Sequence, residues 1–353
     1  MELRNCLKDL QPYIPGKAVP GAIKLASNEN PLGASPHALK IIKKNIDTIS
    51  IYPDYENFDL REKLAKHYKL DKHQFILGNG SDEVLRFIAA AYVNPGDEVL
   101  ISEVTFSEYV FSTTLFDGRQ IMIPTKNLAY DLDAFLKAIT AKTKIIYLCS
   151  PNNPTGLIIE KSKLYQFLKQ VPKHILVVID EAYYEYAMDS ADYHDSLPWI
   201  EEFKNIIVLR TFSKIYGLAG LRIGYGIATR KIIDDLQKTR EPFNVNLIAQ
   251  MAAYAAIEDY AFVKKSKTLN AKGKKEFYKA LDEMKLEYLK TEGNFIYIET
   301  GRDAKELFKQ IVEMGVTIRP LTSFKKPTAI RITIGTPAQN KKILGILKKL
   351  LNK

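Results

Sequence analysis

Residues 206–225 read IIVLRTFSKIYGLAGLRIGY. The run IIVL is apolar on both faces, the pattern of a strand buried in a parallel sheet rather than one with a wet side. It ends in Thr211, Ser213 and Lys214 and passes into a turn containing Gly217 and Gly220. A lysine just past such a strand faces the carboxyl edge of an α/β sheet, where ligands bind. Its amine is also the group that condenses with an aldehyde. Taken alone, Lys214 reads as a solvated charge, the ordinary fate of a lysine. Its neighbours favour the other reading: Ser213 precedes it and Arg222 lies eight positions on. Both suit a phosphate monoester, the arginine through a two-pronged fork.

Upstream, three more strand-length apolar runs, EVLISEV (98–104), KIIYLCS (144–150) and ILVVID (175–180), alternate with helical stretches such as LREKLAKHY (60–68). The alternation predicts an α/β domain built on a buried parallel sheet. Each run is followed by polar residues suited to a site. ILVVID ends in Asp180, with Tyr183 three positions on; a strand-end carboxylate there can hold a cationic ring nitrogen, bind a metal, or simply close a turn. No His or Cys set lies nearby to support a metal. After KIIYLCS comes PNNPTG, a fixed turn able to present the Asn153 amide. In LGNGSDEVLRFIAAAY (77–92), Gly80 and Ser81 open an amphipathic helix whose free amides, with those of Asp82, make an anion site or merely a helix cap.

The chain has 353 residues, enough for two domains around a cleft. Past residue 244 it changes to long basic helices broken by NFIYIE (294–299) and AIRITIG (329–335), read as strands of a smaller sheet. The reading therefore divides the chain into an N-terminal arm over 1–24, rich in Pro and Gly, a large domain over 25–244 and a small domain over 245–353. Lys and Arg outnumber Asp and Glu by 51 to 41, giving a net charge of +10. The lysines are scattered along helices and form no nucleic-acid motif, so no nucleic-acid partner is expected. Two cysteines, Cys6 and Cys149, make neither a disulfide framework nor a zinc site, which fits a reducing cytoplasm. The chain shows neither a signal peptide nor a membrane-spanning run, so no membrane partner is expected.

Taken in order, GNGSDE (78–83), SPNNPTG (150–156), DEAY (180–183), the SK pair (213–214) and LAGLR (218–222) resemble the fold type I aminotransferases that use pyridoxal 5′-phosphate. Within them they resemble the class II subgroup that contains the histidinol-phosphate aminotransferases. LQPYIPG (10–16), LASNENPLG (25–33), IYPDY (51–55), VTIRPL (316–321) and IRITIGT (330–336) extend the likeness over nearly the whole chain.

The resemblance implies that Lys214 carries the cofactor and moves the proton at the substrate α-carbon, that Asp180 holds the pyridinium nitrogen, and that Tyr183 and Asn153 meet the ring's phenolic oxygen. Gly80, Ser81, Asp82, Ser213 and Arg222 hold its phosphate. Phe106 stacks on the ring, at a position where related enzymes often carry a tyrosine; the aromatic face is kept and a hydroxyl contact is lost. Tyr52 reaches the phosphate of a neighbouring subunit's cofactor, which implies a homodimer with shared sites. On the substrate side, Arg331 meets the α-carboxylate of glutamate and the phosphate of histidinol phosphate, with Tyr13, Asn30, Asn153 and Arg319 as further contacts. Aromatic aminotransferases and threonine-phosphate decarboxylase share the cofactor motifs and remain the alternatives. A cofactor-responsive DNA-binding regulator would need a helix-turn-helix segment ahead of the arm, and none is read here.

Overall fold

The computed structural model describes residues 1–8, 10 and 19–351. Seven strands form the large sheet: β1 (Phe75–Gly78), β2 (Glu98–Ser102), β3 (Arg119–Ile123), β4 (Thr143–Cys149), β5 (Leu176–Asp180), β6 (Ile206–Thr211) and β7 (Gly224–Ala228), side by side in the order β1-β7-β6-β5-β4-β2-β3. Neighbours from β6 to β3 are parallel, and β7 runs against both β6 and β1. The two-sided apolar reading holds residue by residue. Ile146, Leu148, Val177, Ile179, Ile206 and Val208 enter one core, while Ile145, Tyr147, Val178, Ile207 and Leu209 enter a second on the opposite face. Alternation with both faces buried is why these segments look continuously apolar.

The helices that matter for the site are α1 (Pro36–Asn45), α2 (Ser81–Tyr92), α3 (Leu247–Ala256), α4 (Tyr260–Glu283), α5 (Ala304–Glu313) and α6 (Pro337–Leu351). A second sheet, β8 (Glu287–Tyr288), β9 (Phe295–Glu299), β10 (Arg319–Pro320) and β11 (Ala329–Thr333), is antiparallel in the order β8-β9-β11-β10. It buries Ile296, Ile298, Ile330 and Ile332 against Phe277 of α4, Leu307 of α5 and Ile343 of α6. Leu25 joins this core, and Ile23–Lys24 pairs in parallel with Val316–Thr317. The stretch just after the arm is thus sewn to the small domain. Past position 244, Ala249, Ala252, Ala253 and Ala256 of α3 belong to the large-sheet core with Ala38 of α1. The alanines let α3 lie close against α1, while Phe277 and Leu281 of α4 belong to the small-sheet core.

Strand order reverses between β2 and β4, because β3 lies outward of β2 while β4 to β6 progress the other way. A crevice opens at the carboxyl ends of strands at such a switch point. Ser102, Cys149, Asp180 and Thr211 are the last residues of the four strands there.

Next to that edge lies a buried ion pair. Arg210 is 0% exposed and Glu181 1%; Arg210 Nε and Nη2 donate to Glu181 Oε2 at 3.0 and 2.6 Å, and Nη2 also meets Asp195 Oδ1 at 2.7 Å. The guanidinium packs 3.4 Å from the Tyr184 ring centre. This pair ties β6 to the segment after β5, one residue away from both Asp180 and Thr211. Arg210→Ala strands the Glu181 charge without its partner and is expected to cost about 3–5 kcal/mol in denaturant unfolding, whereas Arg210→Met with Glu181→Gln recovers part of that loss.

Candidate active site

The anion-binding end of the crevice is made of backbone. Gly80 caps α2 without a side-chain hydrogen bond, leaving the first-turn amides of Ser81 and Asp82 open to an anion. Gly80 stands at φ +76, and a Cβ there would lie 2.5 Å from Arg222 Nη2; a Cβ on Gly224 would lie 2.4 Å from the Ser81 nitrogen. Both positions need glycine so that β7 and the arginine can close on the loop. Arg222, itself at φ 54, donates to Ser213 Oγ at 3.3 Å and to Asp82 Oδ2 at 2.9 Å. Glu83 braces the loop from behind, accepting from the Asn79 amide at 2.8 Å and from Asn244 Nδ2 at 2.6 Å.

At the other end sits Asp180, 3% exposed. The Tyr109 hydroxyl donates to its Oδ2 at 2.6 Å and the Ala182 amide to its Oδ1 at 3.0 Å. Burial pushes this carboxyl up to about 6, against the two hydrogen bonds, which lower it. A cationic N–H facing it would restore the ionised form. Between the two ends Lys214 Nζ lies 5.5 Å from the Tyr183 ring centre and 3.5 Å from the Ser27 carbonyl oxygen. Phe106 walls the same space, its ring edge-on to Tyr109. The turn bearing Asn153 is locked to the segment before Phe106: Thr105 Oγ1 donates to Asn152 Oδ1 at 2.7 Å, and Asn152 Nδ2 donates to the Val104 carbonyl at 2.9 Å.

Two adjoining cavities, of about 500 and 610 Å³, share Phe106, Asn153, Tyr183 and Lys214. The first contains the glycine cup, Ser213, Arg222 and Asp180; the second opens onto Arg319 and Arg331. These arginines are direct cross-strand partners on β10 and β11, so both guanidiniums rise from one face of the small sheet. Arg331 is buried, donates to the Ala26 carbonyl at 2.6 Å, and donates to the side-chain oxygen of Asn153. With that oxygen engaged, Asn153 has its NH₂ left to offer the cavity.

Tyr13 lies outside the described residues. Two other expected contacts are not in this assembly. Asn30 is spent on structure: its Nδ2 donates to the Ile215 carbonyl at 2.6 Å and to Ser266 Oγ at 2.8 Å, and it lines neither cavity. Tyr52 is 79% exposed and stacks on Phe243 at 4.9 Å, away from its own chain's cup. Conversely, Tyr109 and Asn28 were passed over, although Asn28 lies within LASNENPLG and Tyr109 three residues past Phe106. Tyr109 reads as an ordinary helical aromatic until the fold brings it to Asp180. Among the described residues no group of His, Cys, Asp and Glu is placed to hold a metal ion, and no helix is long and apolar enough to cross a membrane.

A cup of backbone amides with an arginine and a serine, a central lysine, and a buried carboxylate opposite fit the phosphate, aldehyde and ring nitrogen of pyridoxal 5′-phosphate. The chain belongs to the aminotransferase class I and II family, which matches residues 20–347, and its fold is that of the fold type I enzymes. More particularly, it is 46% identical to the histidinol-phosphate aminotransferase of Caldicellulosiruptor saccharolyticus over 99% of both chains. It is 45% identical to that of Moorella thermoacetica, over 99% of this chain and 92% of the other. The crystal structure of the histidinol-phosphate aminotransferase of Sinorhizobium meliloti in complex with pyridoxal-5′-phosphate superposes with a TM-score of 0.89 at 28% identity, covering 99% of this chain and 97% of that one.

The Asp180 carboxyl titrates higher folded than its ordinary value of 3.8, so folding favours the protonated acid. That contribution is complete below about pH 4 and is lost as pH rises through 6. In the cofactor-free protein, Asp180→Asn is therefore expected to gain on wild type by about 3 kcal/mol between pH 4 and pH 8, measured by urea unfolding across that range.

Proposed function

We propose that this chain is a pyridoxal-phosphate-dependent transaminase that exchanges an amino group between glutamate or 2-oxoglutarate and histidinol phosphate or imidazole-acetol phosphate. The carrying observation is the arginine pair: two adjacent guanidiniums border a cavity that shares Lys214 with the cofactor cup. One arginine suffices for a carboxylate, and a second favours a doubly charged phosphate. The 40–46% identity to full-length relatives bearing that enzyme's name points the same way.

When bound, the cofactor supplies an electron sink for the pair left as the substrate α-proton departs. In this reading Lys214 Nζ moves that proton between the α-carbon and the cofactor's C4′ position. Asp180, buried and braced by Tyr109, holds the proton on the ring nitrogen. The hydroxyl of Tyr183 and the amide of Asn153 orient the ring through its phenolic oxygen, Phe106 covers its face, and the cup with Ser213 and Arg222 anchors the phosphate. Arg331 takes the carboxylate of glutamate or, with Arg319, the phosphate of the second substrate; Tyr13 is retained as a contact from the arm.

The same reading makes the protein a cytoplasmic homodimer in which Tyr52 completes the partner's cup. In support, Tyr52 is exposed and stacks on the exposed Phe243, and its near neighbours in sequence Ile49 and Ile51 are exposed as well.

Rapid mixing of the yellow, cofactor-loaded protein with histidinol phosphate, phenylalanine or threonine phosphate tests the substrate. Fast bleaching by histidinol phosphate alone supports the proposal; faster reaction with phenylalanine, or carbon dioxide release from threonine phosphate, replaces it with another activity of the same fold. Lys214→Ala is expected to keep its circular dichroism spectrum and lose turnover by a factor on the order of 10³ or more. Arg319→Met is expected to raise KM for histidinol phosphate by about 10–100-fold while leaving the glutamate half-reaction within about threefold, read by single-turnover kinetics of each half.

A further inference from the structure

The segment between the arm and α1 contains Asn28, 1% exposed and held at φ 57. Asparagine tolerates this left-handed conformation better than most side chains. The residues before it are stitched to the small domain: the Leu25 amide donates to the Thr317 carbonyl at 2.8 Å, and the Thr333 amide to the Leu25 carbonyl at 2.9 Å. Asn28 itself is gripped from the same side. Its amide N–H donates to Thr333 Oγ1 at 2.9 Å, and its carbonyl accepts from Asn294 Nδ2 at 2.9 Å. Having accepted one hydrogen bond, the Thr333 hydroxyl passes its own proton to Asn28 Oδ1 at 3.3 Å. That network turns the NH₂ of Asn28 toward the large domain, where it donates to the Tyr183 hydroxyl at 2.8 Å.

The direction of this last bond matters chemically. An NH₂ group can only donate, so the Tyr183 oxygen is occupied as an acceptor and its own proton is directed elsewhere. Tyr183 lines both cavities beside Lys214. We propose that Asn28 is a positioning residue that makes Tyr183 a committed hydrogen-bond donor to the cofactor's ring oxygen, and that small-domain docking, through Thr333 and Asn294, holds it in that role. The inference deepens the proposed function and rests on it. Docking of the small domain thereby reaches the cofactor's electronics through one amide, in addition to the arginines it brings to the substrate.

The test reads the pH midpoint of the bound cofactor's visible absorption in full-length protein without substrate. A donor to the ring oxygen stabilises the negative charge that appears there when the chromophore loses its proton, so weakening the donor raises the midpoint. Asn28→Asp offers a carboxylate that captures the Tyr183 proton; the midpoint should rise by about one pH unit or more. Asn28→Ala, the second variant should the first fail to fold, should raise it by a smaller amount. In a Tyr183→Phe background, whose own midpoint is raised, both Asn28 changes should add almost nothing. An unchanged midpoint in the Asn28 variants, or an equal shift with and without the Tyr183 hydroxyl, overturns the proposal. A wild-type protein that takes up no cofactor overturns the functional reading and this inference with it.

Discussion

The site depends on a carboxylate being kept out of water. Asp180 ends a strand buried on both faces, where ionisation is disfavoured, and the Tyr109 hydroxyl, the Ala182 amide and the charge of Lys214 relieve it in part. Such a group is costly in an empty protein and well matched to a ring that brings its own positive charge. The surrounding architecture serves that match. A sheet covered on both sides excludes water from the floor, and the reversal of strand order opens a crevice only at the carboxyl ends. The next residue, Glu181, is as deeply buried but is neutralised within the protein by Arg210. Two adjacent acids thus have opposite assignments: one is satisfied internally, the other awaits a ligand.

Opposite charge is handled at the far end by backbone. The cup at Gly80 to Asp82 works because no side chain occupies it, and because Gly224 lets β7 approach the first turn of α2. Arg222 and Asp82 are paired across the cup, so a phosphate would compete with Asp82 for the guanidinium. The substrate side belongs to the small domain, and its connection to the cofactor side is direct: Arg331 grips both Asn153 and the carbonyl of Ala26, and Asn28 grips Tyr183. The residues proposed to meet substrate charge and to orient the cofactor therefore share hydrogen bonds.

Much of this was legible in the chain because burial leaves a plain mark. Strands such as LVVID and IIVLRT are apolar at every position, and the polar residues that follow them stand where the sheet ends. Lys214, Asp180, Asn153, Ser213 and Arg222 could be named as candidates because each lies close to the end of a strand. The reversed direction of β7 left no comparable mark, since GYGIA is short and glycine-rich. α3 and α4 both look like helices after the same change of composition, and only packing places the alanines of α3 in the large-sheet core and Phe277 of α4 in the small-sheet core. Tyr109, Asn28 and Asn30 illustrate a different limit. A polar side chain in a motif points at the cavity or away from it according to contacts with residues 71, 155 or 236 positions distant, which no local pattern encodes. Tyr52 is exposed on its own chain, and the role proposed for it requires a second.

The account stands or falls on Lys214 being the covalent anchor at the centre of the crevice. Reducing the reconstituted, coloured protein with borohydride, digesting it and mapping the peptides by mass spectrometry tests this directly. The expected result is a single stoichiometric pyridoxyl modification on the peptide containing Lys214; modification at a different lysine, or none in a protein that binds the cofactor, would contradict it.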